Sequence, residues 1–357
     1  MVKANPAFWR GRRVLLTGHT GFKGAWLVFW LARMGAKVTA LSLPPNQSPS
    51  LWNEIETDTS IRSIFADVRD VGALKSALSD RPQIVIHMAA QALVGRGYRE
   101  PAETFSVNTM GTVILLEALR GLDSLHCVFV VTSDKVYRER RDGAHSREED
   151  CLGGNDPYTA SKVAQESVCL AYSNSYFEPN GIPILTGRAG NVVGGGDWSQ
   201  QRLIPDIWRA ARSRAPLELR YPHATRPWQH VLDCLTGYLC YIEKVVSLSH
   251  ARQNVSWPRH LNFAPQAARE LSVAEVVEAI GSDMGLQLPW KVAAGPHPPE
   301  NLRLGIDASL AEHELAWSAA LSQTATLQWT ADWYRRYSAG DSAVQLCAEQ
   351  IERFGTI

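Results

Sequence analysis

The run Val14-Leu15-Leu16-Thr17-Gly18-His19-Thr20-Gly21-Phe22-Lys23-Gly24 limits what this chain can fold into more than any other segment. A short apolar stretch passes directly into glycines at every third position. These lead into a helical stretch, residues 25–34, that Gly35 stops. Glycine permits the positive φ of a tight turn, brings backbone amides close to an anion, and lets the helix pack tightly on the strand. Strand, glycine turn and helix in this order predict a dinucleotide pyrophosphate at the helix N-terminus. Gly18, His19, Thr20, Gly21, Phe22 and Gly24 would then surround the cofactor. A glycine-rich turn alone is a common strand-to-helix connection, so the rest of the chain must decide.

The first half of the chain repeats that rhythm. Apolar runs at 37–43, 64–67, 84–88, 127–132 and 183–186 alternate with helical patterns at 71–79, 102–120 and after Asp156. Continuous apolar strands between helices predict an α/β fold, a Rossmann-type doubly wound parallel sheet covered on both faces. Ligands of such sheets bind beyond the carboxyl ends of the strands. Asp67-Val68 ends the third strand, where a carboxylate and an amide can hold adenine. Ala89-Ala90-Gln91 ends the fourth, with small residues where a ribose would pass close to backbone. The second strand ends Ala40-Leu41-Ser42-Leu43, without the carboxylate that binds the ribose 2′-hydroxyl of NAD and without a cation for NADP. NAD is the expected cofactor, with its ribose weakly held. Beyond Asn191 the chain becomes richer in Pro, Trp and Arg, and segments 220–231 and 295–307 read as loops over the strand ends.

Net charge is zero, with 36 basic and 36 acidic residues and no block of like charges, so nucleic acid and anionic membranes are poor partners. No apolar stretch approaches the roughly 20 residues of a membrane span. Residues 1–13 lack the apolar core of a signal peptide. Six cysteines without Cys-x-x-Cys spacing read as reduced thiols of a cytoplasmic protein, and the ten histidines show no metal-ligand spacing. No metal is expected.

Asp156-Pro157-Tyr158-Thr159-Ala160-Ser161-Lys162 carries the chemistry. Asp156 can cap a helix that Pro157 enters, and a spacing of four puts Tyr158 and Lys162 on one face. A neighbouring ammonium favours a phenolate, so Lys162 is expected to lower the Tyr158 pKa. Such a tyrosine can take a hydroxyl proton while a nicotinamide accepts the accompanying electrons. Tyr-x-x-x-Lys alone is more often a solvated helix face; a dinucleotide turn upstream reverses that preference. Thr132-Ser133-Asp134-Lys135 ends the fifth strand, beside the expected nicotinamide. Ser133 can share a proton with the hydroxyl being oxidised, and Asp134 with Lys135 form an adjacent acid/base pair.

The runs TGHTGFKG, HMAAQ, TSDKVY, DPYTASK, RAGNVVGGGDW and RPWQHV together resemble the extended short-chain dehydrogenase/reductase superfamily, and within it the nucleotide-sugar dehydratases. The resemblance runs from Phe8 to about Trp333. It implies a nucleotide-binding domain of residues 1–190 and 229–264 and a smaller nucleotide-sugar-binding domain of 191–228 and 265–357. It implies CDP-glucose as substrate, a homodimer or higher homo-oligomer, and substrate contacts from Asn191, Arg202, Arg226 and His230. By the same resemblance Asp134 protonates a leaving C6 hydroxyl, and Lys135 stands where related dehydratases carry the glutamate that removes the C5 proton. The glycine-rich, basic segment 94–98 departs from expectation near the sugar.

Two rivals remain. An epimerase would need Tyr158 and Lys162 but no acid/base pair at C5 and C6. A non-catalytic dinucleotide-binding regulator would have no use for the Ser133, Tyr158 and Lys162 proton relay.

Overall fold

Seven parallel strands form the central sheet: β1 (Arg13–Thr17), β2 (Lys37–Ser42), β3 (Arg62–Phe65), β4 (Ile84–His87), β5 (Cys127–Val131), β6 (Ile184–Ala189) and β7 (His260–Phe263). Their spatial order is β7-β6-β5-β4-β1-β2-β3, so the order reverses at β1, between β2 and β4. The structure, a computed structural model, describes all residues except 1, 57–60, 141–142, 214, 251–256, 266–269, 296 and 298–304, and the side chain of residue 250.

The apolar strands follow from burial on both faces. Val14, Leu16, Ile84, Ile86, Cys127 and Phe129 join one core, with the helices Phe22–Arg33 and Val231–His250. Leu15, Val85, Val128 and Val130 join the other, with Leu74, Leu115, Leu116 and Cys169 of the opposite helices. Successive residues thus face opposite cores, and neither face reaches water.

Several elements differ from the sequence reading, among them β7, which has no counterpart there. The third strand lies two residues earlier, because the Asp67 carboxylate accepts the Arg69 amide and turns the chain. The sixth continues to Ala189, pairing with β5 on one side and β7 on the other. The helix expected at 102–120 contains a wide π turn, Ser106–Met110. The glycine-rich segment 94–98 is helical: Val94–Arg99 packs by Gly97 against Tyr158. Segment 220–231 carries two short strands, and most of segment 295–307 lies outside the described residues.

The glycine run 194–196 is explained by packing. A Cβ on Gly195 would lie 2.0 Å from the Trp333 ring, and the Gly195 carbonyl accepts from Trp26 Nε1 at 2.9 Å. Trp198, Trp333 and Tyr337 complete an aromatic cluster that fastens the C-terminal helix Gln323–Ser338 to the loop after β6. Among the described residues no helix is long and apolar enough to cross a membrane.

One buried ion pair joins the layers. Glu166 accepts from Arg188 Nε at 2.9 Å and Nη2 at 3.1 Å, from Thr132 Oγ1 at 2.6 Å and from Thr186 Oγ1 at 2.9 Å. Arg188 Nη1 donates to the Tyr137 hydroxyl, which donates to Asn262 of β7. Burial would raise the Glu166 carboxyl, but Arg188 and Thr132 outweigh it and hold the group below its ordinary value. Removing one partner strands the other charge. Arg188→Leu is expected to lower unfolding stability by about 3–5 kcal/mol in urea titrations, and Glu166→Leu on that background to recover most of the loss.

Candidate active site

A cleft of about 610 Å³ opens at the carboxyl ends of β4, β5 and β6. Its floor and walls include Ser133, Asp134, Lys135, Tyr158 and Lys162, with Ala90, Thr132, Asn191, Arg202 and Arg226.

From the glycine turn, Lys23 lines it as well. Gly18 has φ +84°, and a Cβ there would lie 2.7 Å from the Ala89 amide nitrogen; one on Gly24 would lie 2.1 Å from the Gly18 carbonyl oxygen. Gly21 is the N-cap of Phe22–Arg33, and no side chain caps it. A helix N-terminus left uncapped beside a turn without side-chain bulk fits a pyrophosphate. Thr20 bonds Ser42 at 2.8 Å and the Leu43 carbonyl at 2.9 Å, which ties the turn to the end of β2. His19 is buried, bonded to Ser63 at 2.8 Å and edge-on to Trp52, so burial depresses it to about 4 and it is neutral. Phe22 is buried in the core.

Two of the expected cofactor contacts are committed elsewhere. The Asp67 carboxylate is forked by Arg69, which also binds Glu103. The Gln91 side chain is buried, donating to Thr104 at 2.9 Å and accepting from the Leu93 amide at 2.7 Å. Val68 is buried, and a Cβ on Gly111 would lie 2.9 Å from its Cγ1, while Ala89 closes on Gly18.

The capping reading of the Pro157–Tyr172 helix holds in detail. Asp156 Oδ1 accepts the Tyr158 and Thr159 amides at 2.9 and 3.1 Å, and Thr159 Oγ1 accepts the Asp156 amide. Ser133 is the cap of a short turn: its Oγ accepts the Lys135 amide at 3.2 Å and donates to Asp134 Oδ1 at 3.0 Å. It also lies close enough to the Tyr158 phenol to pull that group's pKa down. Asp134 rests against Gly190, where a Cβ would fall 1.7 Å from Oδ2; only glycine leaves room for the carboxylate. Asn191, in the left-handed region at φ +51°, donates to the same oxygen at 3.4 Å.

The electrostatics correct one expectation. The Tyr158 pKa is raised, not lowered: burial dominates, Asp134 adds to it, and Ser133 and Arg202 pull the other way. Lys162 does not reach the phenol's charge balance because its Nζ donates to the Val131 carbonyl at 3.1 Å and Gln165 Oε1 at 2.8 Å. Burial, with the charge of Lys23, depresses Lys162 to about 7.

The substrate-side residues divide. Arg202 lies 3.6 Å from Asp197, and Arg226 donates to the Thr225 carbonyl at 2.7 Å; both line the cleft. His230 does not. Its ring is fully buried against Trp329, with Nδ1 accepting the Leu232 amide, so the segment's pleat turns it into the core. The sequence reading passed over Asn108, which bridges Gln91 and Ser161 from the π turn, and Gln165 and Glu166. The signal for Glu166 was present: it continues the spacing of four from Tyr158 and Lys162.

A glycine turn at the strand reversal and a Ser-Tyr-Lys constellation in one cleft define an NAD-dependent enzyme of the short-chain dehydrogenase/reductase type. Residues 14–256 match the NAD dependent epimerase/dehydratase family, and the chain belongs to that family. Its cofactor is NAD. It is 37% identical over 349 residues to a CDP-glucose 4,6-dehydratase of Salmonella typhimurium, covering 96% of both chains. Similar solved structures include a UDP-glucose-4-epimerase from Stenotrophomonas maltophila with bound NAD (TM-score 0.78, 23% identity, 92% of this chain and 100% of that one). Another is a dTDP-glucose 4,6-dehydratase from Bacillus anthracis in complex with NAD (TM-score 0.74, 20% identity, 94% and 100%).

The depressed Lys162 has a consequence for stability. Between about pH 7 and its ordinary 10.5 the unfolded chain holds a proton that the folded chain has released, so this group makes stability rise with pH across that window. Below pH 7 both states are protonated, and the full penalty of a buried ammonium remains. Lys162→Met is therefore expected to raise the urea midpoint, most at acid pH, with the gain fading as pH climbs through the window.

Proposed function

We propose that this enzyme dehydrates CDP-glucose to CDP-4-keto-6-deoxy-glucose, with the cleft holding the sugar between Tyr158 and the Asp134-Lys135 pair. The observation that carries this reading is an acid/base pair placed beside an oxidation relay in a single cleft. The 37% identity to a CDP-glucose 4,6-dehydratase supports the substrate. An epimerase would leave Asp134 and Lys135 without work.

Bound NAD supplies the acceptor for two electrons at C4 and their donor at C6. The protein residues do the rest. Tyr158 takes the C4 hydroxyl proton as its phenolate, the form that Ser133 and Arg202 favour against the effect of burial. The resulting ketone acidifies C5–H. Lys135 either removes that proton, once neutral, or stays charged and stabilises the enolate. Asp134, in its protonated form, donates to the C6 hydroxyl, which leaves as water. Arg226 and Arg202 clamp the substrate diphosphate, with Asn191 at the sugar, and a guanidinium forks onto such oxygens. The cofactor ends as it began, so the net reaction is a lyase reaction.

Incubation with CDP-glucose and NAD tests the reading by mass: loss of one water is expected, whereas an unchanged mass with a new stereoisomer would make the protein an epimerase. Lys135→Met should still oxidise C4, so reduced cofactor should build up on mixing, while exchange of C5 hydrogen with deuterated solvent and release of water fall steeply. Normal turnover in that variant would remove Lys135 from the mechanism.

Arg226→Ala should weaken CDP-glucose binding by about 2–5 kcal/mol in calorimetry and leave NAD binding unchanged. Unaltered sugar-nucleotide affinity would assign Arg226 to the scaffold.

A further inference from the structure

Lys23 is the residue of the glycine turn whose side chain lines the cleft. It sits in the first turn of Phe22–Arg33, and its Nζ lies 3.4 Å from the Tyr238 hydroxyl and 5.6 Å from the centre of that ring. Tyr238 belongs to the Val231–His250 helix under β5 and β6. The side chain thus turns away from the amides of its own turn and reaches under the strands that carry Ser133 and Asn191. The charged groups it interacts with are Asp134, Arg202 and Lys162, all bordering the cleft.

Placing an ammonium here is unfavourable. Burial lowers its pKa and Arg202 adds to the effect, with Asp134 and Cys234 opposing. A second amine 139 positions before Lys162 in the chain, yet close enough to depress it, calls for a role that an apolar side chain would not fill. Two roles differ in their consequences. A cation beside the diphosphate would hold oxidised and reduced cofactor equally. A cation near the nicotinamide would not, because the oxidised ring carries a positive charge that the reduced ring has lost. The neighbours of Lys23 belong to the catalytic end of the cleft, which favours the second role.

We propose that Lys23 disfavours oxidised relative to reduced cofactor and so helps draw electrons from the sugar. In the step it assists, the C4–H bond breaks and its hydrogen passes with two electrons to the nicotinamide, while the C4 hydroxyl proton goes to Tyr158. The carbinol is oxidised to a ketone and NAD is reduced; the later return of hydrogen to C6 reoxidises it. The inference rests on the oxidation step proposed above, but its test needs no sugar.

Dissociation constants of NAD and NADH are measured for the wild type, for neutral Lys23→Met and Lys23→Gln, and for Lys23→Arg, with folding checked by circular dichroism. For unit charges several ångströms apart, the ratio of the NAD constant to the NADH constant should fall on the order of tenfold in either neutral variant. Lys23→Arg should keep the wild-type ratio. Equal weakening of both forms would make Lys23 a diphosphate clamp and overturn the proposal, as would an unchanged ratio in both neutral variants. Failure of the wild type to bind either form would overturn the cofactor reading of the cleft itself, whereas water loss from CDP-glucose alongside an unchanged ratio would sink the Lys23 inference alone.

Discussion

The buried pair between Glu166 and Arg188 is the interaction on which the active site rests. Glu166 lies two turns beyond Tyr158 and one beyond Lys162 on the same face of the Pro157–Tyr172 helix. Its carboxylate collects Thr132 from the end of β5 and Thr186 and Arg188 from β6. Thr132 immediately precedes Ser133, so one carboxylate sets both the height of the helix and the exit of the strand that leads to Asp134 and Lys135. The site is assembled from two elements far apart in sequence, and the separation between Tyr158 and Ser133 depends on this anchor. A buried charge pair adds little net stability against an apolar replacement, but it admits only one arrangement of its partners.

Close backbone approach is the second constraint. Asp134 stands against Gly190 and the glycine turn stands against Ala89 and its own carbonyl, both at distances no side chain tolerates. The cleft that results holds amines and a guanidinium from Lys23, Lys162 and Arg202 against the carboxylate of Asp134. Positive charge gathered in a cleft would stabilise negative charge that develops on a bound ligand. Burial, with the charge of Lys23 added to it, depresses Lys162.

Much of the fold could be read from the sequence because its causes are local. Apolar runs alternating with helical patterns meant a sheet buried on both faces. Asp156 and Pro157 meant a helix start, and the glycine spacing meant a strand-to-helix turn. Those features depend on residues within a few positions of one another. The strand β7 and the π turn at 106–110 depended on partners contributed by distant chain, and neither left a local pattern. Within the site, Ser133, Asp134, Lys135, Tyr158 and Lys162 could be picked out because each sits at a strand end or on a helix start whose direction is set locally.

What the sequence determined by itself was therefore the order of elements and the identity of the groups delivered to the carboxyl edge of the sheet. Tertiary structure decided what surrounds them. It turned His230 into the core against Trp329, engaged Gln91 with Thr104 and Asp67 with Arg69, and aimed Lys162 at the Val131 carbonyl instead of at the phenol. It also carried Lys23 to the catalytic end of the cleft. Desolvation and charge coupling fall off over a few ångströms of space, whatever the separation along the chain. Which group is neutral, which is paired and which faces the cleft is fixed only once the layers have packed.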